Sequence, residues 1–349
     1  MLRSFSLWMA GVVSLVLALE LLCRVLPVST STETGYYTDP VILTYPARHR
    51  WIAATGWDLR NAQTLVANNL GYAAHRDFVR DEHAVALIGD SFVEASMLPG
   101  ADRPGEQLER LLRSRPVYAM GVPGTCLLDY AERIRYAHEQ LGVRDFVIVM
   151  ERGDVKQSLC GSGNNNGPCL DPKTLAPRIE TLPPPGTVKR LLRHSALAQY
   201  LVSQIRLTPQ ALLDQLRPKW LQALHATAQP VAAPASAAMV PDNTMHEVDV
   251  VAKVFFERIK PHVLGKLVLI VDSDRVALFN KSLQPDPARR RFIQLARAAG
   301  AIVVDTEPMF AAHFDHSPLR LDVGPYDGHM NALGVELIAR SASESLINH

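Results

Sequence analysis

An excess of charge of either sign is what this chain most plainly lacks: 36 lysines and arginines face 35 aspartates and glutamates, for a formal net charge of +1. So balanced a surface has no field to draw in a polyanion, and nucleic acid is not expected as a partner. Metal-ligand spacing is missing too. The 12 histidines and 4 cysteines form no HExxH pair and no zinc ribbon, and no phosphate-binding glycine loop is present. Neither metal, nucleotide nor any other cofactor is therefore expected. No internal repeat points to an array. The one dense basic cluster, Arg289, Arg290 and Arg291, falls where a surface helix would begin and reads as its solvated face.

What is there starts at the N-terminus, where residues 5–22 form a nearly uninterrupted apolar run whose one charge is Glu20 and which is preceded by Arg3. Such a run is a signal peptide or a signal anchor; a core helix would show an amphipathic stripe. Residues 27–31 make a poor cleavage site, which favours a retained anchor over residues 1–27, a membrane as partner, and a body outside the cytoplasm. Cys23 follows Leu21 and Leu22, not the small residue that lipoprotein processing requires. In an oxidising compartment Cys160 and Cys169, on either side of the polar residues 161–168, are candidates for a disulfide. Cys126 is expected to pack as a small buried hydrophobe.

Residues 28–81 show no steady period and read as a segment wrapping the domain, which itself spans 82–349. Five short β-branched runs follow, at Val85–Gly89, 116–122, Asp145–Met150, 266–272 and 301–307. Apolar on both faces, they suit parallel strands buried under helices. Between them lie helical periods: Leu108, Leu111 and Leu112; Tyr130, Ile134, Ala137 and Leu141; Val251, Val254, Phe255 and Ile259; Phe292, Leu295, Ala296 and Ala299 before Gly300. The alternation predicts a doubly wound α/β sheet with its chemistry at the carboxyl ends of the strands. Residues 155–245 interrupt it, with helical stretches at 188–205 and 209–226 and an Ala/Pro-rich linker at 229–242; they read as an inserted cap, whether over a substrate groove or as decoration.

Two stretches carry chemistry. In Ile88-Gly89-Asp90-Ser91 a serine follows a strand, and the glycine allows a tight turn that lifts the hydroxyl above the sheet edge, near a helix N-terminus whose amides can face an oxyanion. Gly-Asp-Ser is equally a common ordinary turn. In Tyr326-Asp327-Gly328-His329 an acid precedes a histidine by two positions: His329 has the basicity to take a proton from Ser91, and Asp327 would hold its tautomer. A capping loop with an exposed histidine is the bland alternative. Glu94 could orient the serine loop, contact substrate, or serve only as an N-terminal helix carboxylate. Asp90 fits a turn-forming role, and Asn164, Asn165 and Asn166 suit either a sugar contact or a plain loop.

Together these residues resemble the SGNH (GDSL-like) hydrolase superfamily over roughly residues 85–347. The resemblance implies a flavodoxin-like three-layer α/β/α fold with a five-stranded parallel sheet and a helical insertion. It makes Ser91 the nucleophile, His329 the base, Asp327 the acid, and the amides of Ser91 and Gly124, in Gly121-Val122-Pro123-Gly124, the oxyanion hole. The acid usually lies three residues before the histidine in this family, and Asp322 is the alternative here. Where the family has Gly-Asn-Asp, this chain has Arg152-Gly153-Asp154, so Gly153 stands in place of an oxyanion-hole asparagine, whose loss typically costs about 10²–10³ in turnover. Arg152 or a residue of the cap could replace it, the enzyme could be slow, or the chain could be a relative that kept the fold and lost the chemistry. The resemblance to envelope-anchored members further implies an esterase acting on an acylated glycan or small ester, an O-acetyltransferase using the same triad, or a glycan-binding protein working with envelope-biosynthesis partners.

Overall fold

A computed structural model describes residues 2–30, 36–39, 41–113, 115–162, 167–181, 186–205, 207 and 242–348. They divide into two compact units, one made of residues 1–31, 52–62 and 185–241, the other of 32–51, 63–184 and 242–349.

In the first unit, α1 (Leu2–Val25) exposes nearly all its apolar side chains. Its 22 residues Ser4–Val25 have mean hydropathy 2.1, and among the described residues it is the one helix long and apolar enough to cross a membrane. At ~1.5 Å per residue it exceeds the ~30 Å of a bilayer's hydrocarbon core.

The second unit holds the sheet. Short strands β1 (Tyr36–Asp39) and β2 (Ile42–Thr44) pair as a hairpin, and β3 (Arg50–Thr55) pairs with β4 (Arg60–Val66), the tip of that second hairpin belonging to the first unit. Then come β5 (Val85–Gly89), α2 (Ser91–Glu94), α3 (Pro104–Leu112), β6 (Val117–Gly121), α4 (Leu127–Leu141), β7 (Asp145–Met150) and α5 (Asp154–Gln157). The insertion contributes an antiparallel hairpin, β8 (Gly167–Leu170) with β9 (Pro177–Glu180), to this unit, and the short helices α6 (Thr187–Leu192) and α7 (Ala196–Ala198) to the first. The alternation resumes with α8 (Asp242–Ile259), β10 (Leu267–Val271), α9 (Arg275–Phe279), α10 (Pro287–Ala298), β11 (Ile302–Asp305), α11 (Thr306–His316) and α12 (Ala332–Asn348).

Strands β6, β5, β7, β10 and β11 lie side by side in that order, every pair parallel. Numbered along the chain this is 2-1-3-4-5, the flavodoxin-like order, whose direction reverses between β5 and β7. Successive side chains point to opposite faces. Ala86, Ile88, Phe146, Ile148 and Leu269 join one core with Ile134 of α4, Phe255 of α8 and Phe292 of α10. Val85, Leu87, Val147, Val149 and Ile270 join the other with Leu108 of α3, Phe310 of α11 and Ile338 of α12. The result is a three-layer α/β/α fold.

Several expectations are corrected. The lead-in forms hairpins that its irregular pattern did not announce. The insertion opens on strands, and the helix expected over 188–205 breaks at Ser195, whose hydroxyl caps a new turn by accepting the Ala198 N–H. The stretch 209–226, most of the linker 229–242, and Asn164, Asn165 and Asn166 lie outside the described residues. Cys160 and Cys169 form a disulfide, while Cys23 and Cys126 are free and buried. Arg289 is not solvated: it is buried, donating to the carbonyls of Val271 and Asp272 and pairing with Asp305, so it ties α10 to the ends of β10 and β11.

Arg133 does the same for β5 and β6. Fully buried, its Nη1 donates to the Gly89 carbonyl at 2.8 Å and the Met120 carbonyl at 3.2 Å. Arg133→Met is expected to lower unfolding stability by about 2–3 kcal/mol, since both charge-assisted bonds go. A urea midpoint for the full chain in detergent equal to wild type would contradict this.

Candidate active site

Ser91 lies two residues beyond the end of β5, at the point where the strand order reverses and an open parallel sheet leaves its crevice. Asp90 caps the short turn of α2 by accepting the Phe92 N–H at 2.8 Å. The turn sits against the end of β6 because residue 121 is glycine: a Cβ there would collide with the backbone of Val93 and Glu94. Gly124 lies in the loop after β6 with φ of +70°, a conformation that favours glycine.

From the far end of the chain, a loop before α12 reaches the same place. Val323 N–H donates to the His329 carbonyl and Gly324 N–H to the Asp327 carbonyl, closing the loop on itself. Asn331 then pins its base, its Nδ2 donating to the Arg320 carbonyl and its Oδ1 accepting the Gly334 N–H at the start of α12. So held, His329 Nε2 lies 2.7 Å from Ser91 Oγ, and His329 Nδ1 lies 2.5 Å from Asp327 Oδ1. The consistent tautomer has Nδ1–H donating to Asp327 and Nε2 accepting from the Ser91 hydroxyl. Asp90 Oδ2 is a more distant acceptor for that hydroxyl, at 3.5 Å.

Electrostatics separate the acids. Burial pushes the Asp327 carboxyl up, but the hydrogen bonds and charge of His329 outweigh it and leave it below the usual carboxylate range. Burial alone would depress His329; Asp327 first, then Asp90, reverse that and raise it, against a smaller opposing effect of the Arg275 charge. Beneath them Asp90 is pushed up to about 6 by burial, and Asp154 well above its ordinary value by burial and then by the charge of Asp90. Asp322 is not part of the group; it pairs with Arg320 at 3.2 Å.

Other expected site residues fall elsewhere. Glu94 is buried and its Oε2 accepts the Tyr45 hydroxyl at 2.9 Å, so it faces the interior and not a substrate. Arg152, at the end of β7, is half-exposed and paired with Asp274 at 2.6 Å. Gly153 has no side chain to donate, and its N–H is taken by the Glu151 carboxylate. A Cβ at 153 would stand 2.6 Å from Glu151 Oε2 and 2.7 Å from Gln157 Nε2, so those groups fill the space an asparagine would need. Neither Gly153 nor its N–H therefore serves as an oxyanion donor in this arrangement.

Arg275 is the residue that sequence reasoning missed. Buried at the start of α9, it pairs with Asp272, donates to the Gly328 carbonyl at 2.6 Å, and lies 5.3 Å from the Phe92 ring, which itself tilts against the His329 ring at 4.8 Å. It braces the histidine loop and the serine turn at once. The signal was the polar group Asp272-Ser273-Asp274-Arg275 at the carboxyl end of the fourth run.

No protein-family model matches this chain, and comparison with curated proteins finds no match either. Among solved structures it is similar to LAE5, an alpha/beta hydrolase enzyme from the metagenome of Lake Arreo, Spain, at 13% identity over 78% of this chain and 99% of the other, with a TM-score of 0.38. It is also similar to a member of the lipolytic protein G-D-S-L family from Veillonella parvula DSM 2008, at 12% identity over 75% and 96% of the two chains, with a TM-score of 0.39. Scores this low describe a partial likeness of backbone and nothing about chemistry.

Two measurements check the electrostatics. Because the Arg275 charge lowers the His329 pKa, Arg275→Met is expected to move the imidazole titration, followed by NMR, to higher pH; an unchanged or lower value contradicts the placement. Glu94 is pushed from 4.5 up to about 7, chiefly by burial. Its acid is therefore retained in the fold and released on unfolding between those values, so stability falls as pH rises from 4.5 to 7 and stays lower above. Glu94→Gln should remove about 3 kcal/mol of that fall. Parallel wild-type and variant stabilities across this range would sink the reading.

Proposed function

We propose that this protein is a serine ester hydrolase of the SGNH kind, tethered by α1 with its body outside the cytoplasm, and that it removes acyl groups, acetyl above all, from carbohydrate or related esters. One observation carries the reading: Ser91 Oγ, His329 and Asp327 form a continuous chain of hydrogen bonds at the carboxyl end of a parallel sheet. The extracytoplasmic placement is supported by the apolar N-terminal helix and the Cys160–Cys169 disulfide. The carbohydrate substrate is supported by the motif resemblance.

His329 Nε2 takes the proton as Ser91 Oγ attacks the acyl carbonyl, forming the Oγ–C bond. We assign stabilisation of the tetrahedral oxyanion to the amides of Ser91 and Gly124. The C–O bond to the alcohol then breaks, His329 returns its proton to the leaving oxygen, and the acyl group stays on Ser91. A water molecule deprotonated by His329 releases the acid and restores the serine. Asp327, held ionised, stabilises the imidazolium that forms twice in each cycle. A sugar hydroxyl replacing water would make the same residues an O-acyltransferase.

A serine-directed fluorophosphonate is expected to label Ser91, and Ser91→Ala should lose labelling and at least ~10³-fold in kcat. Absence of label on the folded wild-type chain would leave a glycan-binding protein without chemistry. Since only neutral His329 is a base and its pKa is raised, kcat/KM should climb with pH through an ionisation above the ordinary imidazole value of 6.5. With an acetylated oligosaccharide, sustained acetate release without acetylated acceptor separates hydrolysis from transfer.

A further inference from the structure

The exposed large apolar side chains of the second unit are scattered singly along it, as at Val79, Ile179 and Leu319. Those of the first unit are not. Beyond α1 they comprise Leu26 just after it, Val188, Leu191, Leu192 and Val202 in the insertion, and Trp57 at the tip of the β3–β4 hairpin. Val188, Leu191 and Leu192 recur at the spacing of one helix face, and α6 is exposed all round. Lys189, Arg190 and Arg193 lie among them, and residues 187–205 contain no acidic side chain.

This segment is tied to the last turns of α1. The Ser195 hydroxyl donates to Glu20 at 2.7 Å, and the N–H groups of Ala196 and Leu197 donate to the same carboxylate at 3.1 and 3.0 Å. Arg24 pairs with Glu20 at 2.7 Å and donates to the His194 carbonyl. The hairpin tip is bound to the same segment: the Tyr200 hydroxyl donates to the Trp57 carbonyl at 2.8 Å, and Gln204 donates to the carbonyls of Ala54 and Gly56. Glu20 is thus paired and hydrogen-bonded near the C-terminal end of α1, and the segment that holds it also carries α6 and binds the hairpin tip that bears Trp57.

We propose that residues 187–205, with Trp57, form an interfacial collar that inserts its apolar side chains into the bilayer crossed by α1 and presents its basic residues to anionic lipid headgroups. Continuity with α1 selects the occupant, because a face hydrogen-bonded to the end of a membrane-spanning helix meets the headgroup region before any other partner. Aromatic and long basic side chains are the residue types that region accepts. The inference rests on the reading of α1 as an anchor and is independent of the chemistry at Ser91.

The test uses the full chain in nanodiscs, with an NBD fluorophore on Leu191→Cys and, separately, on Val188→Cys, so that one misfolded variant does not decide it. Leu15→Cys reports the anchor. Expected are blue-shifted emission at 188 and 191, quenching by shallow lipid-borne doxyl groups and not by iodide, and a stronger effect with anionic lipid that Lys189→Glu with Arg190→Glu removes. Iodide quenching at 188 and 191 while position 15 stays embedded overturns the collar and leaves the anchor standing. Iodide quenching at all three positions overturns the anchor as well. Labels shielded from both quenchers in discs holding two copies would assign the face to self-association, and also overturn it.

Discussion

A hydroxyl at the end of β5 and an imidazole 238 residues later share a single hydrogen bond of 2.7 Å, and the organisation of the second unit serves to make that bond possible. Neighbours in sequence do not by themselves place either partner. Ser91 stands where it does because five strands in parallel register bring their carboxyl ends to one edge, because Arg133 clasps two of those ends, and because residue 121 leaves room for the turn. His329 arrives because Asn331 and the first turn of α12 fasten its loop, and Arg275 locks that loop to the serine side. Positions so over-determined fit a site in which a misplacement of about an ångström costs orders of magnitude in rate.

The same architecture divides labour among carboxyl groups. Asp90, Glu94 and Asp154 are raised by burial, whereas Asp327, which takes two hydrogen bonds from His329, keeps its charge. Asp327 is the acid held ionised in direct contact with the imidazole, and Asp90, pushed up to about 6, adds a second negative charge above that pH that also raises His329. Arg275 limits the effect by placing a cation on the other side.

The sheet was legible in the sequence because each strand is apolar on both faces and bounded by helical periods; Val85–Gly89 and Asp145–Met150 have the boundaries that their β-branched runs announce. Strand pairing in the lead-in was not legible. The strands of those hairpins are three to seven residues long; β2 is buried throughout and β4 is mostly exposed or half-buried, so neither carries an alternating burial pattern. Motif spacing singled out Ser91, Asp327 and His329, which the fold brings within hydrogen-bond reach of one another. Arg275 and Arg289 were hidden for a common reason: an arginine that satisfies strand-end carbonyls and acids looks, in one dimension, like any surface arginine. Glu94, for which substrate contact was one of three expected roles, is buried with its carboxylate on the hydroxyl of Tyr45, 49 positions away and invisible to local pattern.

The neighbourhood of Gly153 ties three positions together. The side-chain ends of Glu151 and Gln157 occupy the room beside its Cα, and the Glu151 carboxylate accepts its N–H. An asparagine at 153 would displace only the ends of two flexible side chains, whereas loss of Glu151 would leave the Gly153 N–H without its carboxylate partner. Restoring a side-chain donor at this corner is therefore a matter of rearranging Glu151 and Gln157 and not the backbone.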